Sequence, residues 1–487
     1  MFKNISLYLT VVLKFTQRYL KRLLTPKIPK STGDYRHKKD ALYLLRAHQK
    51  IFIFIGVVLF ILSLGGQIIE GVLPNQRVSQ GIIGLYSQDS LPPQVLSLIS
   101  KSLVSIDQNG KTTPSIATSW QVNNDATLYT FHLKDNLTWS NQELVKSSDI
   151  ELKINGAQIS YPDDKTIQVK LTDSFSALPS LLNIPILKRG TLIGLGPYTV
   201  TTVENNHSAI IKLHLRSLQK TDDLPYLTIN FYPDEKTAKI SYELGQIDSI
   251  LGLSDDKEYQ NQTHSKIKTF SIHNRLVAIF HNTKDAILSD KNLRKALNAA
   301  SPKFESEDRA KTIYSQKSWV FNDTLKDPLD NLDLAREYLS KVQSYKNNPI
   351  TLTTTPNLEV FAAKIIKNWR QIGINAILRV ESGVPQNFQA LLIIQPIPAD
   401  PDQYILWHST QVQTNVSKYS SPRADKDLED GRKTNDATER KERYLDLQKV
   451  IMDDVPLTPL YFAKTNVIYR KRVGESLQKI LNLQFPN

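Results

Sequence analysis

The residues whose types could carry out chemistry are few and widely separated along these 487 residues. Asp400 and Asp402 lie two positions apart in ADPDQY, a spacing open to a pair of metal ligands or a general acid. No partner motif accompanies them, so a turn carrying surface carboxylates is the simpler interpretation. The nine histidines are scattered without an HExxH motif, and the sequence lacks a GxSxG elbow and a Walker loop. It therefore predicts a protein that is not an enzyme and uses no metal or cofactor.

The nearest approach to a phosphate-binding loop is GLGPY at 194–198. A phosphate loop leads into a helix N-terminus, whose free N–H groups hold the anion. Here Pro197 and a strand-like stretch follow instead. We interpret the segment as a turn into a strand.

Aromatic residues point to binding rather than catalysis. The chain has five Trp and twenty Tyr, side chains that give a large contact area at a small cost in rotamer entropy. A cleft lined by them would suit a bound solute, although any single one is more simply explained as a core residue.

An apolar run, IFIFIGVVLFILSLGG at 51–66, precedes all of these residues. As a helix it spans about 24 Å, and extension through Ile69 brings it close to the ~30 Å of bilayer hydrocarbon. A buried core helix and a cleaved signal peptide are the alternatives. Fifty residues precede the run and no convincing cleavage site follows it, so we predict an uncleaved transmembrane anchor at 51–69.

The charge distribution gives this anchor a direction. Residues 1–50 hold twelve Lys or Arg against Asp34 and Asp40, a net charge of +10 out of +13 for the chain. Segments rich in Lys and Arg next to a transmembrane helix stay on the cytoplasmic side of the membrane. We therefore predict a cytoplasmic N-terminus, with the C-terminal domain extracellular or periplasmic. The basic charge suits anionic lipid headgroups better than nucleic acid. The stretch 5–24 is equally explained as an interfacial helix or a solvated basic tail.

The chain has no cysteine, which excludes disulfides, thiol catalysis and the lipid-modified cysteine of a bacterial lipoprotein. The predicted transmembrane helix would then be what holds the protein to the cell.

Strand and helix patterns follow one another after the anchor. Period-two alternation predicts strands at TLYTFHLK (127–134), KTIQVKL (165–171), PYTVTTV (197–203) and SAIIKLHL (208–215). Helical periodicity marks 357–373 and 442–454, and a strand-like segment follows each. This order predicts helices packed on sheets, and about 410 residues are too many for a single core.

Five sequence blocks carry a family resemblance. They are Gly110, Pro114, Ala117 and Trp120 in the opening block 91–150, GLGPYTV (194–200), YELGQIDSI (242–250), FHNTKDAILSDKNLRKALNAA (280–300), and the final block 415–462 with its R-x-x-x-Y-x-x-x-Q pattern. Blocks of this kind in this order resemble the family 5 extracellular solute-binding proteins, the peptide- and nickel-binding subunits of ABC importers.

The resemblance implies an α/β fold, a two-lobed periplasmic-binding-protein-like clamshell (type II) with a reduced extra small domain, preceded by one transmembrane helix. The implied organisation is a basic cytoplasmic segment 1–50, the anchor 51–69, a linker 70–80, lobe I at 81–275 with an inserted small domain at about 110–190, lobe II at 276–465, and a segment 466–487 that returns to lobe I.

The function implied by the resemblance is capture without covalent change. A peptide or small polar solute would be held between the lobes and presented to an ABC permease, and a ligand that touches both lobes would favour the closed state. A cell-surface scaffold that keeps the fold without transporting is the alternative.

The sequence also departs from the family pattern at its binding residues. The family's W-S-D-G is Trp139-Ser140-Asn141-Gln142 here. The acidic residue that pairs with a peptide's amine in such proteins falls near Ile397, which cannot form an ion pair. Asp400 or Asp402 could replace it. Residues with suitable chemistry in or near the family-like segments predict a ligand site at Trp139, Asp400, Asp402, Tyr404, Trp407, Tyr419 and Arg423.

Overall fold

The computed structural model describes residues 77–218, 224–254, 256–343 and 345–486. The predicted cytoplasmic segment 1–50, the anchor 51–69 and most of the linker 70–80 lie outside these ranges. Among the residues described, no helix combines the length and the apolar character needed to cross a bilayer.

Strands and helices are interspersed after residue 198, as the sequence predicts, whereas six strands between residues 104 and 171 follow one another without an α-helix. The strands of the described residues, in chain order, are β1 (Arg77–Ile83), β2 (Val104–Ile106), β3 (Thr112–Pro114), β4 (Ala117–Val122), β5 (Leu128–Leu133), β6 (Ala157–Asp163), β7 (Thr166–Leu171), β8 (Tyr198–Asn206), β9 (Ala209–Ser217), β10 (Tyr226–Tyr232), β11 (Ser249–Leu253), β12 (Ser265–His281), β13 (Asp308–Arg309), β14 (Ile350–Thr354), β15 (Ala376–Val380), β16 (Ala390–Pro396) and β17 (Leu457–Arg470).

The α-helices, numbered in the same way, are α1 (Pro93–Ile99), α2 (Leu178–Leu181), α3 (Glu235–Glu243), α4 (Lys291–Ala300), α5 (Leu332–Ser340), α6 (Glu359–Gln371), α7 (Tyr404–Trp407), α8 (Pro422–Lys433), α9 (Ala437–Asp454) and α10 (Gly474–Gln484). The helices predicted at 357–373 and 442–454 are confirmed as α6 and α9.

Most strands belong to one long sheet, in the order β15-β14-β16-β12-β17-β11-β1-β10-β9-β8, with β13 paired to β17. Strands β4, β5, β7 and β6 form a separate antiparallel sheet. At the centre of the long sheet, β12 pairs with β17 in two stretches. Their register shifts between Ser271 and Leu276, so both strands run from one half of the sheet to the other across an irregularity.

Three names are used below. Lobe I denotes residues 77–275 and 466–486, the small domain within it denotes 110–190, and lobe II denotes 276–465. The sequence predicts these boundaries, except that lobe I is extended from residue 81 to residue 77 to include all of β1 and ends at the last described residue, 486.

Each of these parts has its own buried apolar cluster. In lobe I, Leu98 of α1 lies in one cluster with Leu477 of α10. In the small domain, Phe131 of β5 lies at 0% exposure. In lobe II, Trp369 of α6 and Leu447 of α9 belong to clusters on the two faces of the sheet. Burial of each such side chain contributes about 1.5–3 kcal/mol.

Local sequence explains the elements that frame the site. In β5, buried residues alternate with more exposed ones, as expected of a strand with one face on a core. The GLGPY segment turns into β8, as predicted. A Cβ at Gly194 or Gly196 would collide with the Ile99 backbone, so these glycines allow close packing against α1.

Candidate functional site

A small cavity of about 280 Å³ lies where the small domain faces lobe II. From the small domain it is lined by Lys111, Thr112, Trp120, Val122, Tyr129, Ser176, Pro179 and Ser180, and from lobe II by Trp319, Asp400, Asn435, Ala437 and Arg440. Aromatic side chains therefore face a buried charge pair across it. We call this space the inter-lobe cavity.

The charge pair joins two segments of lobe II that are distant in sequence. Asp400 lies in the loop after β16, and Arg440 lies in the first turn of α9. Arg440 Nη2 donates to Asp400 Oδ1 at 2.6 Å, and Arg440 Nε donates to the Gly431 carbonyl at 3.1 Å. Burial has the largest single effect and lowers the pKa of Arg440, but the Asp400 carboxylate and Tyr444 together outweigh it, so the net shift of the pKa is upward and the guanidinium stays charged.

Helix α9 positions Arg440 through a face that repeats every four residues. Arg440 and Tyr444 are neighbours on this face, and the guanidinium lies 5.5 Å from the Tyr444 ring. One turn further, Gln448 Nε2 donates to the Val320 carbonyl at 2.7 Å. This bond holds the chain next to Trp319, whose ring lies 5.6 Å from the same guanidinium. The R-x-x-x-Y-x-x-x-Q pattern thus builds one wall of the cavity.

The opposite wall carries two aromatic side chains, Trp120 and Tyr129, and one charged residue, Lys111. Tyr129 of β5 is buried, its hydroxyl donates to the Phe175 carbonyl at 3.0 Å, and burial raises its pKa, so the phenol carries no charge. Trp120 of β4 stands beside Phe131 with ring centroids 6.2 Å apart. Among the described residues of the lining, the charged groups are Lys111, Asp400 and Arg440, a net charge of +1. Such a site can accept one carboxylate and one amine, with apolar groups against the rings.

The ADPDQY segment is a turn, as predicted, but its carboxylates are not on the surface. Asp400 and Asp402 are 8% and 6% exposed, and Asp402 Oδ2 accepts from Arg432 Nε at 2.8 Å. Burial raises the pKa of Asp402, although Arg432 acts in the opposite direction. The sequence interpretation was wrong here because both arginines follow 30 or more residues later, beyond the reach of local pattern.

The predicted site residues are only partly brought together. Asp400 lines the cavity, and Asp402 is held next to Asp400 because its N–H donates to Asp400 Oδ1. The Tyr404 ring lies 4.1 Å from the Arg432 guanidinium and stacks on His408.

The other four predicted residues stand elsewhere. Trp139 is in the small-domain core, with its indole donating to Asp149 at 3.2 Å. Trp407 and Tyr419 are in the lobe II core. Arg423 is exposed and pairs with Asp446 on the outer face of α8.

Sequence reasoning missed Arg440, Trp319 and Tyr129. Arg440 and Trp120 stood in the quoted family blocks, so the motifs themselves carried a signal for these two. Tyr129 also lay in the opening block 91–150, on the strand predicted at 127–134, whereas Trp319 stood outside every quoted block. Within the described residues, no group of three or more His, Cys, Asp or Glu lies close enough together to hold a metal ion.

A larger groove of about 760 Å³ lies on lobe I, between α1 and the loops at 151–156 and 181–191. Its lining includes no residue from the described part of lobe II. We place the candidate site at the smaller inter-lobe cavity because both halves of the protein line it and a buried charge pair faces it.

Comparison with known proteins agrees with this architecture. Residues 111–415 match the family described as bacterial extracellular solute-binding proteins, family 5 middle. The chain is 22% identical over 451 residues to di/tripeptide-binding protein 1 of Pseudomonas aeruginosa, covering 75% of this chain and 83% of that protein.

Solved structures share the two-lobed fold. The substrate-binding protein CtaP of Listeria monocytogenes superposes with a TM-score of 0.66 at 18% identity, covering 81% of this chain and 94% of that one. NikZ of Campylobacter jejuni, solved with Ni(L-His), superposes with a TM-score of 0.61 at 19% identity, covering 82% and 95%.

Proposed function

Because the chain belongs to family 5 of the bacterial extracellular solute-binding proteins, we propose that it is the substrate-binding subunit of an ABC importer. It captures a small peptide or another small polar solute in the inter-lobe cavity and makes no covalent change to it. The observation that carries the proposal is the Asp400–Arg440 pair, which lies buried against aromatic side chains where the small domain meets lobe II.

The cavity volume narrows the ligand class. About 280 Å³ corresponds to roughly nine water molecules at ~30 Å³ each, and lies just below the ~300–1,000 Å³ of ordinary ligand pockets. An amino acid or a dipeptide matches this space, with its carboxylate at Arg440 and its amine at Asp400. Di/tripeptide-binding protein 1 binds, by its name, ligands of this class.

Thermal unfolding of the full chain with a ligand panel tests the proposal. The panel holds dipeptides, tripeptides, a nonapeptide and Ni(L-His), with N-acetylated dipeptide amides as matched neutral controls. A ligand at 100 times its Kd adds about 2.7 kcal/mol to the free energy of unfolding. We expect free dipeptides to raise the Tm and the capped forms to have little effect. No shift with any member of the panel would contradict the proposal.

The second candidate is the non-transporting scaffold. One observation favours it: Asp400 and Arg440 already satisfy each other, so neither charge requires a ligand. The same panel separates the two functions, since a scaffold of this kind would show no ligand-dependent change in Tm.

We also propose that the protein is tethered to the cell membrane with its N-terminus in the cytoplasm and presents its ligand to an ABC permease. The support is the apolar run at 51–66, the basic residues before it, and the extracellular character of the family. Protease added to intact spheroplasts should digest residues after 80 and spare an epitope tag placed before residue 50. Protection of the C-terminal residues would contradict this orientation.

A further inference from the structure

Backbone groups of the two lobes touch at one edge of the inter-lobe cavity. Gly110 begins the small domain with φ +75°, and a Cβ on it would lie 2.7 Å from the Lys317 carbonyl oxygen of lobe II. A contact this close leaves no room for a side chain. The main chains of the small domain and lobe II therefore approach too closely here for any residue larger than glycine at position 110.

A second contact joins Ser176 to the C-terminal end of α8. The Ser176 N–H donates to the Arg432 carbonyl at 2.9 Å, and its Oγ donates to the Gly431 carbonyl at 3.2 Å. The last four carbonyls of a helix have no partner within the helix. The small domain thus supplies hydrogen bonds that end a helix of lobe II, and Ser176 is buried in doing so.

Two further contacts complete the edge. Asn435 Nδ2, just after α8, donates to the Asn123 carbonyl of the small domain at 3.2 Å. The Phe175 ring lies 5.0 Å from the Arg432 guanidinium, within the range of a cation–π interaction. Arg432 is held in turn by its ion pair with Asp402 at 2.8 Å.

We propose that three contacts form what we call the inter-lobe stop. In it the Gly110 backbone lies against the Lys317 carbonyl, Ser176 donates to the Gly431 and Arg432 carbonyls, and Asn435 donates to the Asn123 carbonyl. The stop fixes how far the lobes close and so selects ligands by size. Its acceptors are main-chain carbonyls, which cannot move aside by changing a rotamer as side chains do. A ligand larger than the cavity would have to break buried hydrogen bonds before the lobes could hold it. The size selection rests on the proposed function, whereas the stop itself does not.

Gly110→Ala tests the stop because the added methyl group would push against the Lys317 carbonyl of lobe II. Gly156→Ala is its matched control. Gly156 has nearly the same backbone angle, φ +74°, but nothing lies within 4 Å of an added Cβ. Both substitutions carry the same backbone strain, and only the first pushes against the other lobe. The chain has no cysteine, so Ile184→Cys and Val412→Cys, at exposed positions of the small domain and lobe II, accept a pair of spin labels.

The inter-label distance of the full chain without ligand is the first readout. We expect Gly110→Ala to lengthen the mean distance and Gly156→Ala to leave it at the wild-type value. Equal distances in both variants would overturn the stop. This result does not depend on any ligand, so it decides the question even if no peptide binds the wild type and the proposed function fails.

Peptide length preference is the second readout. Wild type should bind a dipeptide more tightly than the tripeptide that extends it by one residue. Gly110→Ala should lower the ratio of tripeptide Kd to dipeptide Kd by at least about fivefold. Ser176→Ala, which removes one of the hydrogen bonds, should lower the ratio by a smaller factor. If the spin labels move apart in Gly110→Ala but the ratio of tripeptide Kd to dipeptide Kd does not change, the claim of size selection is overturned.

Discussion

Arg440 and Asp400 meet at 2.6 Å between Nη2 and Oδ1, with 11% and 8% of their side-chain surfaces exposed. The pair is therefore a buried one, and removal of one partner leaves the other charged and unpaired. We expect Arg440→Gln to lower the free energy of unfolding by about 3 kcal/mol. Urea unfolding of Arg440→Gln, Asp400→Asn and the double variant measures the coupling.

The double variant and a surface pair provide the controls for this prediction. The double variant should recover much of the loss, because neither charge remains. Arg423→Gln, which breaks an ion pair whose arginine side chain is 66% exposed, should lower the free energy of unfolding far less than Arg440→Gln, because water screens an exposed pair. Equal losses for Arg423→Gln and Arg440→Gln would contradict a buried role for Arg440.

A strained turn follows Trp139. Gln142 occupies the position of the glycine in the family's W-S-D-G and has φ +71°, a region that costs an L-residue roughly 1–2 kcal/mol. Its N–H still donates to the Trp139 carbonyl at 2.8 Å. Gln142→Gly should therefore raise the free energy of unfolding by about 1 kcal/mol. Gln121→Gly, in strand β4, should instead lower it, and stabilisation of neither variant would contradict the account.

His281 gives the fold an acid-sensitive group. It is fully buried in β12, its Nε2 contacts Thr458 Oγ1 at 3.1 Å, and burial followed by the nearby Arg294 lowers its pKa from 6.5 to about 3. As the pH falls below about 6.5, His281 gains a proton in the unfolded chain but stays neutral in the folded protein. Its contribution to the free energy of unfolding is therefore full above about pH 6.5 and declines toward pH 3, by up to about 1.4 kcal/mol per pH unit. In urea unfolding, His281→Gln should flatten this decline, and the exposed His207→Gln should not.

Asp427 has the opposite pH dependence. Burial and the neighbouring Asp446 raise its pKa, while Arg423 lowers the pKa of Asp446. A raised folded-state pKa gives stability at low pH that is lost as the pH rises through that value. Asp427→Asn should therefore gain stability relative to wild type between pH 5 and pH 8, in denaturant unfolding at both values. The exposed Asp333→Asn should gain none, and equal gains would contradict the assignment.

The sequence predicted what depends on local pattern. Helix α6 follows from apolar residues on one face, and β5 from its alternation, because both patterns act within a few residues. The long-range pairs could not be predicted in this way. Arg440 reaches Asp400 across 40 positions, and Ser176 reaches Gly431 across 255. The first pair depends on packing within lobe II and the second on how the small domain meets lobe II, and no single segment encodes either arrangement.

Residue type alone did not separate the aromatic residues of the cavity from those of the cores. Trp139 and Trp407 were predicted for the site, yet both fill cores, where each indole finds one hydrogen-bond acceptor. Trp319 was not singled out, and it lines the cavity because Gln448 holds the adjoining chain. A tryptophan with one polar group suits either environment, so packing decides which role it takes.

The location of the bound ligand tests the central claim most directly. A dipeptide carrying a diazirine group, photo-crosslinked to the full chain and mapped by mass spectrometry, reports it in one measurement. We predict adducts on peptides that contain Trp319, Arg440 or Tyr129, competed away by the unlabelled dipeptide. Competed adducts confined to the lobe I groove at 181–191, or no competed adduct at all, would contradict capture between the lobes.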